Sequence, residues 1–458
     1  MLTCFKAYDI RGRLGSELND DIARRIGRAF GQVLGAKRVV IGHDPRASSH
    51  SLKEATIEGL LAAGAEVLDL GLCGTEEVYH ATSHFAADGG ICVTASHNPV
   101  DYNGMKMVRA GSAPLDAATG LLAIKALAES EAFLPAPPGM RRSAEGARAA
   151  YVETVLSFVD IAALPPLKIL VNAGNGAAGP TFDALAADLA VNGSPVTFIR
   201  HNHTPDGHFP NGIPNPLLPE NQPQTAQAVL AAGADMGVAW DGDFDRCFLF
   251  DATGAFIPGE YVVGLLAQIF LTKSPGAMII HDPRIVLNTR DIVATMGGHA
   301  VQAPTGHAFL KQKMRDTGAV YGGEMSAHHY FRDFMACDSG MIPWLLVVEL
   351  MGRTGQSLAA LLADRRAAFP SSGEINFRVD STRDTVARVE AAYAPRATAR
   401  DDTDGLSLTF DGWRFNLRAS NTEPLLRLNV ESVGSPKAVA QAVADLTVII
   451  GGTPARGH

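Results

Sequence analysis

Short apolar runs of strand length alternate along the chain with longer stretches in which apolar positions recur at helical spacing. The first unit reads Arg38-Val39-Val40-Ile41-Gly42, then a loop, then a helical run over 52–63. A second reads Leu167-Lys168-Ile169-Leu170-Val171, a glycine-rich turn and a helical run over 181–189; a third reads Ala277-Met278-Ile279-Ile280, a loop and a run over 289–296. Strand-like runs alternating with stretches of helical periodicity predict β-α-β units and a mostly parallel sheet. His43-Asp44-Pro45-Arg46 follows the first strand and His281-Asp282-Pro283-Arg284 the third. Identical tetrapeptides at matching places predict a repeated α/β domain.

A second echo follows. Apolar strands at 90–94, 234–240 and 319–321 each run into an unusually polar loop: Ala95-Ser96-His97-Asn98-Pro99, Asp241-Gly242-Asp243-Phe244-Asp245-Arg246, and the stretch 322–329. Ligands of open α/β sheets bind beyond the carboxyl ends of the strands, where such loops emerge. Linkers are expected at 135–139, 165–166 and 369–373. Past the last of these the chain turns strand-rich, at 406–410, 413–417 and 425–430, and the final GGTPARGH reads as a frayed tail. The expected fold is three similar mixed α/β domains around a cleft plus a smaller C-terminal α+β domain, with boundaries 1–150, 151–256, 257–369 and 370–458.

Composition narrows the function. The 458 residues are 47% apolar and 19% charged, with a formal charge of −9, so the chain is globular and not disordered. An acidic balance argues against broad nucleic-acid or anionic-membrane binding. The five cysteines are odd in number and far apart, which suggests neither a disulfide framework nor a zinc ribbon. The apolar runs at 261–271 and 341–348 fall short of the ~20 residues that span a bilayer. The N-terminus lacks a signal-peptide core. The expectation is a cytoplasmic monomer acting on a small molecule, with no nucleic acid or membrane partner.

Asp241, Asp243 and Asp245 would repel one another on a regular strand. On a loop relaxed by Gly242 they converge on one hard divalent ion, and Mg²⁺ suits a site with few carboxylates and open positions. A plain polar turn is the weaker alternative. Ser96 stands just past a buried strand beside His97, placed as a nucleophile or phosphoryl carrier, and Lys106 is near enough in sequence to balance its charge. Taken alone, those residues are better explained as an ordinary serine turn capping the strand. Arg418, Ser420, Asn421 and Thr422 make a cradle for phosphate, against an even alternative of a polar hairpin. Glu324, Ser326 and His328 suit sugar hydroxyls. Gly174-Asn175-Gly176-Ala177-Ala178-Gly179 spells a dinucleotide fingerprint, but the acidic residue expected about 20 positions on is missing, so a tight strand-to-helix turn is the better reading. His201, His203 and His208 lack regular zinc-ligand spacing.

Four signatures, TASHNP at 94–99, DGDFDR at 241–246, GEMSAHH at 323–329 and RASNTEP at 418–424, occur in this order together with FKAYDIRG at 5–12. The chain resembles the α-D-phosphohexomutase family along nearly its whole length, and within it the bacterial phosphomannomutase/phosphoglucomutase branch. The resemblance implies that Ser96 is a phosphorylated serine, with Asp241, Asp243 and Asp245 holding Mg²⁺ beside it and Arg246 steadying the phosphate. It places Tyr8, Arg11, His97 and Lys106 at the phosphoryl-transfer site, His97 or Lys106 assisting proton transfer. Glu324 and Ser326 would bind ring hydroxyls, and His307 and His328 would line the sugar site. Arg418, Ser420, Asn421 and Thr422, with Arg284, would hold the phosphate not being transferred. Ala327 replaces a common glycine. Met325 replaces the glutamine of the phosphoglucosamine branch.

The implied reaction interconverts mannose 1-phosphate and mannose 6-phosphate, and the glucose phosphates as well, through a hexose 1,6-bisphosphate that turns end for end. Closure at a hinge near 369–373 is expected with it. The rivals are an aspartyl-phosphate phosphatase using Asp241 or Asp243, which would not need Ser96, and a non-catalytic sugar-phosphate binding protein, which would need neither Ser96 nor the aspartates.

Overall fold

The computed structural model describes residues 1–419 and 425–455. Two compact units divide the chain, one formed by Met1–Phe256 with His328–Gly355, the other by Ile257–Ala327 with Gln356–His458.

The first unit opens on a sheet whose strands are β1 (Ile10–Arg13), β2 (Arg38–His43), β3 (Glu66–Leu72), β4 (Gly89–Val93) and β5 (Tyr102–Arg109), in the order β1-β5-β4-β2-β3 with Met140–Ser143 beyond β3. β2 runs parallel to β3 and β4, pairing Ile41 with Ile91, whereas β4 and β5 are antiparallel. β4 is buried at every position, as its apolar sequence demands. The helix Asp20–Val33 buries Ile22, Ala23, Ile26, Ala29 and Phe30, a stripe at helical spacing, and Asn19 caps it by accepting from the Ile22 N–H.

A second sheet of the same unit repeats the plan. Lys168–Asn172 lies parallel to Thr197–His201 and to Met236–Trp240, and Met236–Trp240 turns back antiparallel into Cys247–Asp251. In both sheets a buried central strand therefore runs into a polar loop and returns, and the loops 94–101 and 241–246 emerge at carboxyl ends. The segment from His328 adds a short antiparallel pair, His329–Phe331 with Cys337–Asp338, and the helix Ile342–Thr354. It is fastened by the Gly340 N–H donating to Glu76 Oε1 (2.9 Å) and Trp240 Nε1–H donating to Gly340 O (2.8 Å).

In the second unit Met278–His281 is parallel to His299–Gln302 and to Tyr321–Gly323, with the helices Gly259–Lys273, Leu287–Thr295 and His307–Thr317. An antiparallel sheet follows, containing Ala399–Asp401, Leu406–Phe410, Trp413–Ala419, Leu425–Ser432, Ser371–Arg378 and Thr453–Ala455 in that order. Its apolar face, including Phe377, Leu408, Phe415, Leu417 and Leu428, packs with Val389 and Leu446 of the helices Thr382–Tyr393 and Pro436–Ile450.

Two segments are more ordered than their composition suggests. The linker-like 369–373 is bonded on both sides, since Tyr261 Oη–H donates to Phe369 O (2.8 Å), Ser371 Oγ–H to Glu260 (2.6 Å) and the Ser432 N–H to Pro370 O (3.0 Å). Within the tail, 453–455 pairs antiparallel with Ser371–Arg378, matching Asn376 to Ala455, because that sheet edge would otherwise leave its backbone groups unpaired. Residues 456–458 lie outside the described part.

Candidate active site

In the first unit the loop after β4 carries Ser96, and the loop 241–246 lies directly against it. Ser96 is buried and left-handed, with φ +48°, a conformation that costs a non-glycine residue of order 1–3 kcal/mol. Its N–H donates to Thr94 Oγ1 (2.8 Å) and its hydroxyl to Asp241 Oδ2 (2.6 Å), and His97 Nδ1 lies 3.0 Å from Ser96 Oγ. The approach of the two loops depends on Gly242, where a Cβ would fall 2.5 Å from Ser96 O. The fingerprint-like turn at 174–179 supports the same stack. The Ala177 N–H donates to Gly242 O (2.9 Å), and a Cβ at Gly176 would fall 2.7 Å from that oxygen. A Cβ at Gly174 would fall 2.3 Å from Pro214 Cβ and one at Gly179 2.1 Å from His203 O, so these glycines serve close packing within the protein.

Asp241, Asp243 and Asp245 offer oxygens that all lie within 4.8 Å of one another, and all three residues are buried. Asp243 Oδ2 accepts from Lys106 Nζ (2.7 Å) and from Thr75 Oγ1 (2.6 Å), and Asp245 accepts from Lys106. Burial and the neighbouring Asp245 push the Asp241 carboxyl up to about 7. Burial acts the same way on Asp243, but the ammonium of Lys106 outweighs it and holds that carboxyl well below the usual range. Burial opposes the charge on Lys106 in turn, and Asp243, Asp245 and Asp241 overcome it, keeping the amine protonated above its ordinary value. Asp243 Oδ1 and Asp245 Oδ1 are buried and make no hydrogen bond. Hard carboxylate oxygens left unsatisfied beside one another fit a divalent cation of the Mg²⁺ kind.

Three further groups face this cluster. Arg246 places Nη2 2.6 Å from His97 Nδ1 and Nε 3.4 Å from Asp241. Arg11 donates to Ala95 O and Asn98 Oδ1, bracing the serine loop from the other side. Burial, with Arg246 and Arg11 close by, pushes the His97 imidazole well below its usual value, so the ring is neutral and its Nδ1 is an acceptor. Tyr8 is half-buried in the turn before β1. His328 belongs to this group as well: a backbone bridge joins it to Arg246, and its Nδ1 is 3.0 Å from Asp338 Oδ2 and 3.9 Å from Asp245. Burial disfavours charge on that ring, but Asp245 and the bond to Asp338 prevail and raise it.

The second unit holds the other candidates. Glu324 is buried, accepts from the Gly306 N–H (2.9 Å) and lies 3.7 Å from Arg284, which also donates to Ser326 Oγ (3.1 Å). Ala327, in the same loop, is left-handed with φ +71°, which explains the fitness of glycine there. His307 is half-buried at the first position of the helix His307–Thr317. Arg418 lies 3.2 Å from Glu374, which Arg427 and Arg284 approach at 3.4 and 3.7 Å. Burial raises the Glu374 carboxyl, yet these three guanidinium groups hold it below its ordinary value. Ser420, Asn421 and Thr422 lie outside the described residues.

Sequence reasoning gave no role to Thr75, Asp338, Glu374 or Arg427: Thr75 and Glu374 come from elements distant in sequence, and Asp338 and Arg427 from strands folded back beside the groups they face. Asp44 and Arg46 had a signal in the repeated tetrapeptide. Among the described residues the two groups able to ligate a metal are Asp241-Asp243-Asp245 and Asp245-His328-Asp338, and neither includes His201, His203 or His208. No single described helix is long and apolar enough to cross a membrane.

A serine held against an aspartate triad, with an ammonium and guanidinium groups around it on an α/β scaffold, has the charge and geometry that phosphoryl transfer needs. Models of the phosphoglucomutase/phosphomannomutase α/β/α domains I, II and III match residues 3–134, 149–254 and 258–369, and that of the C-terminal domain matches 374–447. The chain is 60% identical over 435 residues to a phosphomannomutase of Salmonella montevideo, covering 94% of this chain and 95% of that one. It is 54% identical over 451 residues to a phosphohexose mutase of Xanthomonas campestris, covering 98% of this chain and 100% of that one. A crystal structure of a phosphoglucomutase/phosphomannomutase family protein from Burkholderia thailandensis superposes with a TM-score of 0.88 at 32% identity, covering 99% of both chains. The chain belongs to the phosphoglucomutase/phosphomannomutase family of α-D-phosphohexomutases. It is a phosphohexomutase, an isomerase that acts as an intramolecular phosphotransferase.

Proposed function

We propose that this phosphohexomutase interconverts mannose 1-phosphate and mannose 6-phosphate, and the glucose phosphates as well, with Ser96 as phosphoryl carrier and a hexose 1,6-bisphosphate as intermediate. The observation that carries the reading is Ser96 Oγ 2.6 Å from Asp241, itself within the triad of buried carboxylates. Asp241, Asp243 and Asp245, together with Ser96, would hold Mg²⁺, which would supply a Lewis acid that offsets charge on a phosphoryl group.

Phosphoserine donates its phosphoryl group to the free hydroxyl of a hexose phosphate. The serine oxygen leaves as the sugar oxygen bonds to phosphorus, and the proton of the sugar hydroxyl is given up. Return of the other phosphate to Ser96 reverses the step. Two side chains stand near enough to move that proton. Lys106 is locked as an ammonium by Asp243 and Asp245, so it contributes charge. His97, whose Nδ1 lies 3.0 Å from Ser96 Oγ, assists that proton transfer. Arg246 and Arg11 keep the serine loop and the phosphate in register. Glu324 and Ser326 read ring hydroxyls, His307 and His328 line the sugar, and Arg418 and Arg284, with Ser420, Asn421 and Thr422, bind the phosphate at rest.

Hydroxyls 3 and 4 are common to mannose and glucose, so readers confined to them accept both sugars. The test is kcat/KM for mannose 1-phosphate and glucose 1-phosphate with Mg²⁺ and a trace of hexose 1,6-bisphosphate. Values within about tenfold of one another, a gap of roughly 1.4 kcal/mol, are expected. No turnover of either sugar by the phosphorylated protein overturns the assignment.

A further inference from the structure

We infer that Arg46 is a positioning residue for Ser96, an inference that rests on the function proposed above. Its guanidinium is 3% exposed and donates only to backbone: to Ser96 O (2.8 Å) and Asn98 O through Nη2, and to Pro99 O (2.9 Å) and Tyr102 O (3.3 Å) through Nη1. One planar fork thus fixes four carbonyls across the whole turn that presents the phosphoryl carrier. Arg46 does not approach Ser96 Oγ. It acts through the peptide that follows the serine, whose plane sets the backbone angle at Ser96 and hence the direction of the side chain.

The clamp has something to restrain. Ser96 is left-handed at φ +48°, a strained state that persists only where its surroundings over-determine it. Gly242 approaches Ser96 O closely and fixes it from one side, Arg11 holds Ala95 O, and Arg46 holds the carbonyls that follow. The base of the clamp is itself built in. Asp44, fully buried, lies 3.4 Å from Arg46 Nε and accepts from Ser49 Oγ, Thr94 Oγ1 and the Arg46 N–H. Phe209 stacks under the guanidinium at 5.4 Å, on a loop whose Gly207 pairs with Arg46 and would clash with Pro45 O if it carried a Cβ. An ammonium in place of the fork keeps the charge and loses the geometry, because a compact point donor cannot reach four carbonyls in one plane.

The test compares Arg46→Lys with wild type by steady-state kinetics, by hydrogen exchange at the amides of 96–102 and by thermal unfolding. Misplacing a reacting group by about 1 Å costs of the order of 100-fold in rate. The expected result is therefore a fall in kcat of about 10- to 100-fold with KM for hexose 1-phosphate within about twofold, exchange in 96–102 faster by about tenfold, and exchange elsewhere unchanged. Arg46→Ala regains part of its kcat on adding guanidinium ion at concentrations too low to denature. A kcat within about twofold of wild type in Arg46→Lys overturns the inference. So does a loss of kcat in which melting temperature falls and exchange rises uniformly, for that is a general structural role. If wild type itself fails to turn over hexose phosphates, the proposed function falls, while the exchange at 96–102 still decides whether Arg46 clamps the loop.

Discussion

The turn at 43–46 and the turn at 281–284 share one sequence and much of one geometry. In each the histidine Nδ1 lies 2.7 Å from the aspartate carbonyl, and the aspartate accepts from the arginine N–H, at 3.0 Å in the first and 3.1 Å in the second. Each aspartate also accepts from a backbone N–H of the functional loop beside it: Asp44 from Ala95 (3.3 Å), Asp282 from Met325 (2.9 Å). The arginines then diverge. Arg46 pairs with Asp44 alone among the described carboxylates, and its two terminal nitrogens are given to carbonyls of the serine loop, so its fork is spent on holding backbone. Arg284 is surrounded by Asp282, Glu324 and Glu374 and touches Ser326 Oγ. An arginine among carboxylates keeps its fork turned toward anions, which suits the phosphate-binding role proposed for it. A duplicated turn has thus kept its aspartate's task and changed its arginine's.

Removing the shared part should have the largest effect. Asp44→Asn and Asp282→Asn each strand a buried arginine, and the loss of one partner of a buried pair costs about 3–5 kcal/mol. Both are expected to lower the unfolding free energy read from urea titration by that order. The comparison predicts opposite kinetics: Asp44→Asn lowers kcat, and Asp282→Asn raises KM. Equal effects on both constants in both variants would erase the distinction.

Acid probes the histidines of the two turns. Burial, with Arg290 nearby, lowers the His281 imidazole to about 4, and burial lowers His43 as well. An unfolded histidine titrates near 6.5, so between pH 6.5 and 4 the unfolded chain binds the proton that folded His281 refuses. Stability is fully present above about pH 6.5 and declines as the pH falls toward 4, by roughly 3 kcal/mol at most for His281. Urea titrations at pH 7.5 and 5 should show the slope, and His281→Asn should flatten it.

Glu374→Gln removes the carboxylate that Arg284, Arg418 and Arg427 approach. A loss of about 1–3 kcal/mol is expected in phosphate-free buffer, partly recovered by inorganic phosphate. Thermal unfolding with and without phosphate measures both, and a failure of phosphate to restore stability argues against these guanidinium groups as an anion site. Ala327→Gly, which relieves a left-handed alanine, should stabilise by about 0.5–1 kcal/mol, read as a small rise in melting temperature.

Much of this was legible in the sequence because the functional loops are contiguous. Apolar runs located the central strands, and Ser96 and the three aspartates stand in short motifs directly after them. The repeated tetrapeptide pointed at the two turns, but not at the divergence of their arginines, since hydrogen-bond partners such as Tyr102 O or Glu374 are chosen by packing. Thr75 and Asp338 went unseen for the same reason. Thr75 reaches Asp243 from a helix far along the chain, and Asp338 meets His328 only because two short strands fold back on each other. The tail strand 453–455 was hidden by its proline and by the two glycines before it, and it forms because a sheet edge awaits it.

The central claim is that Ser96, set against the aspartate triad, carries the phosphoryl group. Wild type and Ser96→Ala should be incubated with glucose 1,6-bisphosphate and Mg²⁺, weighed by intact-protein mass spectrometry, and assayed for mannose 1-phosphate turnover and released inorganic phosphate. The account predicts one added phosphoryl group on wild type, none on the variant, and a loss of turnover of at least about 1,000-fold. A variant that still turns over the sugar phosphate, or releases inorganic phosphate as fast as wild type isomerises, would contradict it and assign the chemistry to an aspartate.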